Sequence, residues 1–365
     1  MTALKPIFAA FPLTSADQGV PEELFRDLRA NAAPEEAGTS PISRSIDLLR
    51  DGGLMADDGA VSPARTARTL MHVGGANLCV GRLYEGHVNA LRLITLYGSD
   101  ELKSSMARRI ADGAVLGVWG ADGQMPVTAD EAGSLSGSKA FASGLGTVTH
   151  AVVTVNSGPE VRLALVDVSD ETRADLSSWD TLGMKATASG EFDFTGMPKA
   201  KIEWIGAPGD YLQEPHFVGG VWRIAALQAG GAAGLLDVAA SELRAAGRME
   251  AEAQAARLMG ALTQVWAGMA LTERAAESAA DGQREPEDIV ATSIAARLFT
   301  EEAGLDAIRA VEQSIGLRHF KSDTETGRMA RDLSMYMRQA ARDAFLQRAA
   351  QNALGQEGKI WGAFS

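Results

Sequence analysis

Two switches of periodicity along the chain predict an α+β fold that is mainly α. Up to about residue 112 apolar residues recur at helical spacing. From Gly113 to roughly Gly206 the period drops to two and β-branched residues become common. Helical spacing then returns and holds to the last residues. The expected layout is an N-terminal helical domain (1–112), a small central β-sheet or barrel domain (113–208) and a C-terminal four-helix bundle (209–365).

Pro21 with Glu22 and Glu23 opens the first helix, since Pro suits the first turn and acids there meet the positive end of the helix dipole. An apolar stripe over 42–49 is stopped by Asp51-Gly52-Gly53, and Ser62-Pro63 starts the next helix. Residues 81–97 give a clearer helix, with Leu83, His87, Ala90, Leu91 and Ile94 on one face. His87 on that face is expected to be a hydrogen-bonded core histidine rather than a ligand. Gly98 is placed to end the helix in the left-handed conformation, and Ser99 to cap another that begins Asp100-Glu101.

Strand signals cover 115–119, 150–155 and 161–168, while 122–134 is rich in Gly, Asp, Ser and Thr and reads as loop. Between them runs Leu135-Ser-Gly-Ser-Lys-Ala-Phe-Ala-Ser-Gly144. Phe141 and Ser143 are two apart, so a strand would point both to one face. A ring beside a hydroxyl can pack a planar cofactor and hydrogen-bond its edge. A core aromatic beside an exposed hydroxyl fits the same two residues.

Beyond a boundary near 208, residues 219–243 are rich in Gly and Ala, which suits close helix packing. Gly230-Gly-Ala-Ala-Gly234 lies inside that helical pattern, so it reads as packing and not as a dinucleotide loop. Leu258, Leu262, Val265, Trp266 and Met269 mark the next helix, which Asp281-Gly282 ends. Glu285-Pro286-Glu287 begins another, and a last helix is expected over 329–354.

Composition narrows the function classes. The 365 residues carry a formal charge of −13 with no basic tract, which argues against nucleic acid. One cysteine, Cys79, excludes an intramolecular disulfide and a cysteine-rich metal site. No two of the five histidines stand at metal-ligand spacing. The first residues, broken by Pro12, make a poor signal peptide and are too short to span a bilayer, so a cytoplasmic protein with no membrane partner is expected. Nucleophile-elbow, phosphate-loop and zinc-protease motifs are lacking.

Four stretches in order resemble the acyl-CoA dehydrogenase family. They are Gly81-Arg-Leu-Tyr-Glu-Gly-His87 with Leu96-Tyr-Gly-Ser-Asp-Glu-Leu-Lys103, then the Leu135 stretch, then Leu182-Gly-Met-Lys-Ala-Thr-Ala-Ser-Gly190, then Gln313-Ser-Ile-Gly316 with Arg331-Asp332. The resemblance implies FAD as cofactor, with Phe141 similar to the aromatic that stacks on the flavin and Ser143 to the hydroxyl near flavin N5. Trp119 and Asp122 fall where the family's first sheet-domain strand passes the ring. Gln313 and Gly316 match a segment that meets the FAD of a neighbouring subunit. An acyl-CoA thioester as substrate, a homodimer or homotetramer, and electron-transfer flavoprotein as a candidate partner are implied with them.

Two departures stand out. Where the family has Thr-Glu-Pro-x-x-Gly-Ser-Asp, this chain reads Ala121-Asp-Gly-Gln-Met-Pro-Val-Thr128, with Asp122 in place of a neutral hydroxyl. Arg257 could supply a compensating phosphate contact, or it is a solvated helix arginine. The family's usual base position falls on Ala340, and alanine cannot move a proton. The alternative location, Gly219-Gly-Val-Trp-Arg-Ile-Ala-Ala226, also lacks an acid. Asp343, close to one helical turn further on, is a candidate, against an Asp paired with Arg338 or Arg342. No catalytic base is assigned. The breadth of the resemblance favours an acyl-CoA dehydrogenase with a missing or displaced base; the alternatives are a flavin monooxygenase or N-hydroxylase of the same architecture and a non-catalytic flavin-binding subunit.

Overall fold

The computed structural model describes residues 20–57 and 62–364, so the opening stretch with Pro12 lies outside the described residues. Five helices come first: α1 (Glu22–Glu36), α2 (Ser43–Asp51), α3 (Pro63–Ala76), α4 (Leu78–Tyr97) and α5 (Asp100–Ala111). Strands β1 (Leu116–Trp119), β2 (Thr128–Ala129), β3 (Leu135–Ser136), β4 (Ser138–Ala142), β5 (His150–Ser157), β6 (Glu160–Asp167), β7 (Ala174–Asp175), β8 (Gly190–Asp193) and β9 (Ile202–Ile205) follow. Helices return with α6 (Trp222–Ala245), α7 (Glu252–Ala280), α8 (Pro286–Ile315), α9 (Glu325–Tyr336) and α10 (Arg342–Gly355). The described chain is mostly helical, with small sheets in the middle and a helical C-terminal region.

These elements gather into two compact units that interleave along the chain. One holds the described residues of 34–61 and 82–217, the other those of 1–33, 62–81 and 218–365. In the first unit a six-stranded mixed sheet runs β3-β2-β5-β6-β9, with β1 lying parallel on β5 so that Leu116 faces His150 and Trp119 faces Val153. β5 is central because Ala151, Val152, Val153 and Val155 are buried on both of its faces. A second, three-stranded antiparallel sheet runs β4-β8-β7. His87 ties α4 to this frame. Its Nε2 meets the Met55 carbonyl at 2.7 Å and its Nδ1 accepts the Leu116 N–H at 3.0 Å.

In the second unit α3 and α6 touch backbone to backbone. A Cβ at Gly230 would lie 2.0 Å from the Met71 carbonyl oxygen, and one at Gly234 would lie 2.1 Å from that of Gly75. The Gly-Gly-Ala-Ala-Gly run is therefore a packing face. α6 is long and apolar enough to cross a membrane, and most of that window is buried within the protein. α8 brings Val290, Ile294 and Leu298 against Val218, with Phe345 and Ala349 of α10 packed on them.

Two local expectations are corrected. Gly98 is not left-handed. It is glycine because a Cβ there would lie 2.6 Å from the Ile94 carbonyl oxygen, while Ser99 does cap α5 by accepting the Leu102 N–H at 3.2 Å. The single last helix is two, broken between Tyr336 and Arg342, where Ala341 takes φ 60°. Apolar spacing continues through the break, so the sequence carried no sign of it.

Candidate functional site

Phe141 owes its position to a bulge. Lys139 pairs with Phe192 and Ala142 with Gly190, so β4 carries one residue more than β8 over that span. Phe141 takes φ 52°, in the left-handed region that side chains rarely adopt. The bulge breaks the alternation that the sequence suggested. Phe141 is 66% exposed while Ser143, just past the strand, is buried. The two do not share a strand face in the simple period-two sense. Trp179 meets the Phe141 ring edge-on at 6.5 Å between centroids, and Leu182 is also exposed on this unit.

Ser143 is held from both ends. Its carbonyl accepts the Trp119 indole N–H at 3.1 Å, and Trp119 is itself packed against Phe192. Its hydroxyl accepts from Ser189 at 2.8 Å, and Ser189 stands 2.7 Å from the Thr187 hydroxyl. Thr187 also donates to the Met184 carbonyl at 2.8 Å, so the three hydroxyls, with one hydrogen each, form a single chain. A small cleft of about 10 Å³, the room of one water, lies beside Ser143. Arg82, Gly86, Gly117, Trp119 and Val148 line it with Ser143.

Asp122 does not stand as a free charge. Its carboxylate receives Lys139 Nζ at 2.5 Å, and Lys139 also donates to the Thr154 hydroxyl at 2.6 Å and reaches the Gly120 carbonyl at 3.4 Å. Lys139 is 1% exposed. Burial lowers its pKa, and the hydrogen bond and charge of Asp122 oppose that shift. The pair ties the start of the 120–127 loop to β4 and β5.

On the other unit the structure brings Arg257 to the Gln313–Gly316 segment. Arg257 donates to the Ser314 hydroxyl at 3.2 Å, and Arg248 donates to the Ser314 carbonyl at 3.1 Å. Two cations therefore sit at the negative end of α8, which Gly316 terminates at φ 74°. Gln313 is exposed. Ala340 lies exposed in the break between α9 and α10, its carbonyl accepting from Arg297 at 2.9 Å. Asp343 is past the break, with its side chain 88% exposed and 3.6 Å from Arg342. The one-turn relation between Ala340 and Asp343 is thus corrected, because Ala341 is left-handed. A buried carboxylate, Glu301 of α8, faces the same break and is held by Arg342 at 3.1 Å and Arg338 at 3.5 Å.

No family model and no curated protein matches this sequence. Solved structures do. FMN-bound TdsC, a dibenzothiophene monooxygenase from Paenibacillus sp. A11-2, is 18% identical with a TM-score of 0.78 over 91% of this chain and 96% of its own. The chain shares its fold. The nitrososynthase of Micromonospora carbonacea var. africana is likewise 18% identical, with a TM-score of 0.76 over 94% and 98% of the two chains. KijD3, solved with FMN and a dTDP-amino-keto sugar, gives 18%, 0.75, 97% and 98%.

Sequence reasoning did not single out four residues that the fold brings to these places. Ser189 and Thr187 stand in the Leu182 motif and were read only as part of its pattern. Arg82 stands in the Gly81 motif, and its place in a cleft depends on strand β1, over thirty residues away. Glu301 lies on α8, in no motif, and only the fold brings it to Ala340.

Proposed function

We propose that this chain is a flavin-dependent oxidoreductase, with the flavin ring laid against Phe141 and its edge at the Ser143 hydroxyl. The observation that carries this is the pairing of an exposed aromatic, held at positive φ, with a buried hydroxyl at the end of a hydrogen-bonded chain. Both fit a planar aromatic group with a hydrogen-bonding edge. Bound there, the flavin would supply the redox chemistry; TdsC and KijD3 are both solved with FMN. Ser189 orients Ser143, Trp119 fixes its backbone, and Phe141 would cover one face of the ring from water. FMN and FAD are both candidates for the cofactor.

Oxygen-dependent oxidation of a small molecule, the monooxygenase or N-hydroxylase reading, suits the site best. Dehydrogenation of a thioester needs a carboxylate free to take the α-proton, and the carboxylate at the Ala340 break, Glu301, is engaged by Arg338 and Arg342. The dehydrogenase reading is kept second because the four family-like motifs occur in order. A homodimer or tetramer, in which Gln313 and Gly316 of one copy meet the flavin of another, belongs to either reading, and light scattering tests it.

The experiment is anaerobic stopped-flow on protein loaded with FMN or FAD. Under the favoured reading octanoyl-CoA leaves the flavin oxidised, while chemically reduced enzyme consumes oxygen and oxidises an added aromatic or amine. Rapid bleaching by octanoyl-CoA would replace this reading with the dehydrogenase, and electron-transfer flavoprotein would then be tried as acceptor. A protein that takes up neither flavin ends both.

A further inference from the structure

The cleft beside Ser143 is not an apolar slot. Arg82 projects from α4 into it, its side chain 25% exposed, and pairs with Glu85 one turn along at 2.8 Å. Two glycines keep the space open. A Cβ at Gly86 would lie 3.3 Å from Arg82 Nη1, and one at Gly117 would lie 3.2 Å from both the Trp119 indole nitrogen and a Val148 methyl. An aliphatic chain entering here would strip water from a charged pair and gain no polar partner in return.

We propose that Arg82 is a specificity residue that takes the carboxylate of a small monoanionic substrate into this cleft. The inference rests on the flavin reading above, since it is the Ser143 edge that would place such a substrate beside the ring. Glu85 engages Nη1 of the guanidinium, and the planar fork has further N–H groups to offer a carboxylate. The neighbouring Glu85 charge repels a dianion more than a monoanion, so a carboxylate is favoured over a phosphate. The room of about one water takes a single carboxylate oxygen and leaves the carbon chain outside the cleft.

The test is calorimetric titration of propionate, its neutral isostere propionamide and the dianion ethylphosphonate into wild type, Arg82→Leu, Arg82→Lys and Glu85→Gln. Wild type should prefer propionate over propionamide by about tenfold or more, the worth of a charge-assisted hydrogen bond. Arg82→Leu should erase the preference and Arg82→Lys should keep part of it. Glu85→Gln should tighten propionate, because it frees the guanidinium from its rival anion. That opposite sign is decisive even if Arg82→Leu fails to fold: weaker propionate binding in Glu85→Gln, or equal affinity of wild type for propionate and propionamide, overturns the proposal. Flavin titration of the same proteins separates the two claims. Flavin uptake without a carboxylate preference sinks this inference alone, and a carboxylate preference without flavin uptake sinks the oxidoreductase reading alone.

Discussion

His87 should make the protein lose stability as the pH falls from neutral, and the size of the loss can be worked from its surroundings. The ring is fully buried, and its two nitrogens are both engaged, one with the Met55 carbonyl and one with the Leu116 N–H. Nδ1 must accept, so the proton belongs on Nε2 and the ring is neutral. A second proton would have to point at a backbone N–H. Burial, against the opposing effect of the Met55 carbonyl and with a small push from Arg50, lowers its pKa from 6.5 to about 4. The folded pKa lies below the unfolded one, so the unfolded chain binds the proton first. Stability is full above the unfolded value and falls through the window from 6.5 to about 4, by roughly 3 kcal/mol for this one group. His72, also lowered to about 4 chiefly by burial, adds a parallel loss. Comparing wild type with His87→Gln cancels His72, because it is common to both. Glutamine offers one donor and one acceptor but does not titrate. Guanidinium unfolding between neutral pH and about pH 4.5 should show a shallower decline in the variant. Identical pH slopes in the two proteins would refute the assignment.

Three further outcomes are expected. Gly234→Ala should cost about 1–3 kcal/mol or more by overpacking α6 on the Gly75 carbonyl, seen as a lower melting temperature, whereas Gly260→Ala on α7, with nothing near its Cβ, should be neutral or slightly stabilising; equal melting of the two would deny the backbone contact. Phe141→Ala should weaken flavin binding by about tenfold or more through lost stacked area, read by fluorescence quenching titration, and unchanged affinity would place the ring elsewhere. Ala340→Glu with octanoyl-CoA should leave bound flavin oxidised, as in wild type; reduction sped by about 10²–10⁴-fold, the worth of general-base catalysis, would favour the dehydrogenase reading instead.

Much of the helical framework could be read from spacing, because a buried helix face writes itself into the sequence. Leu83, His87, Ala90 and Ile94 are buried as the period required, and Asp281 and Pro286 flank the ends of α7 and α8. Strands β5 and β6 were legible for the same reason. The bulge at Phe141 was not, since its cause is a register mismatch with β8, some fifty residues on. Nor was the break before α10, where Arg297 and Glu301 hold residues 338–342 from another helix. Phe141, Ser143 and Trp119 could be singled out from the sequence as candidates, whereas the bond of Ser189 to Ser143, the cleft lined by Arg82 and the Lys139–Asp122 pair became visible only through tertiary pairing.

The left-handed backbone at residue 141 puts two demands on one position that different amino acids meet. Folding alone would favour glycine or asparagine there, which tolerate positive φ, and would disfavour valine, isoleucine and threonine, whose branched Cβ clashes in that region. Ring stacking favours tyrosine, tryptophan and histidine regardless of backbone. A saturation library at this codon, sorted once for soluble yield and once for bound colour, should therefore rank its members in two unlike orders, with the native phenylalanine first in the second sort and unremarkable in the first.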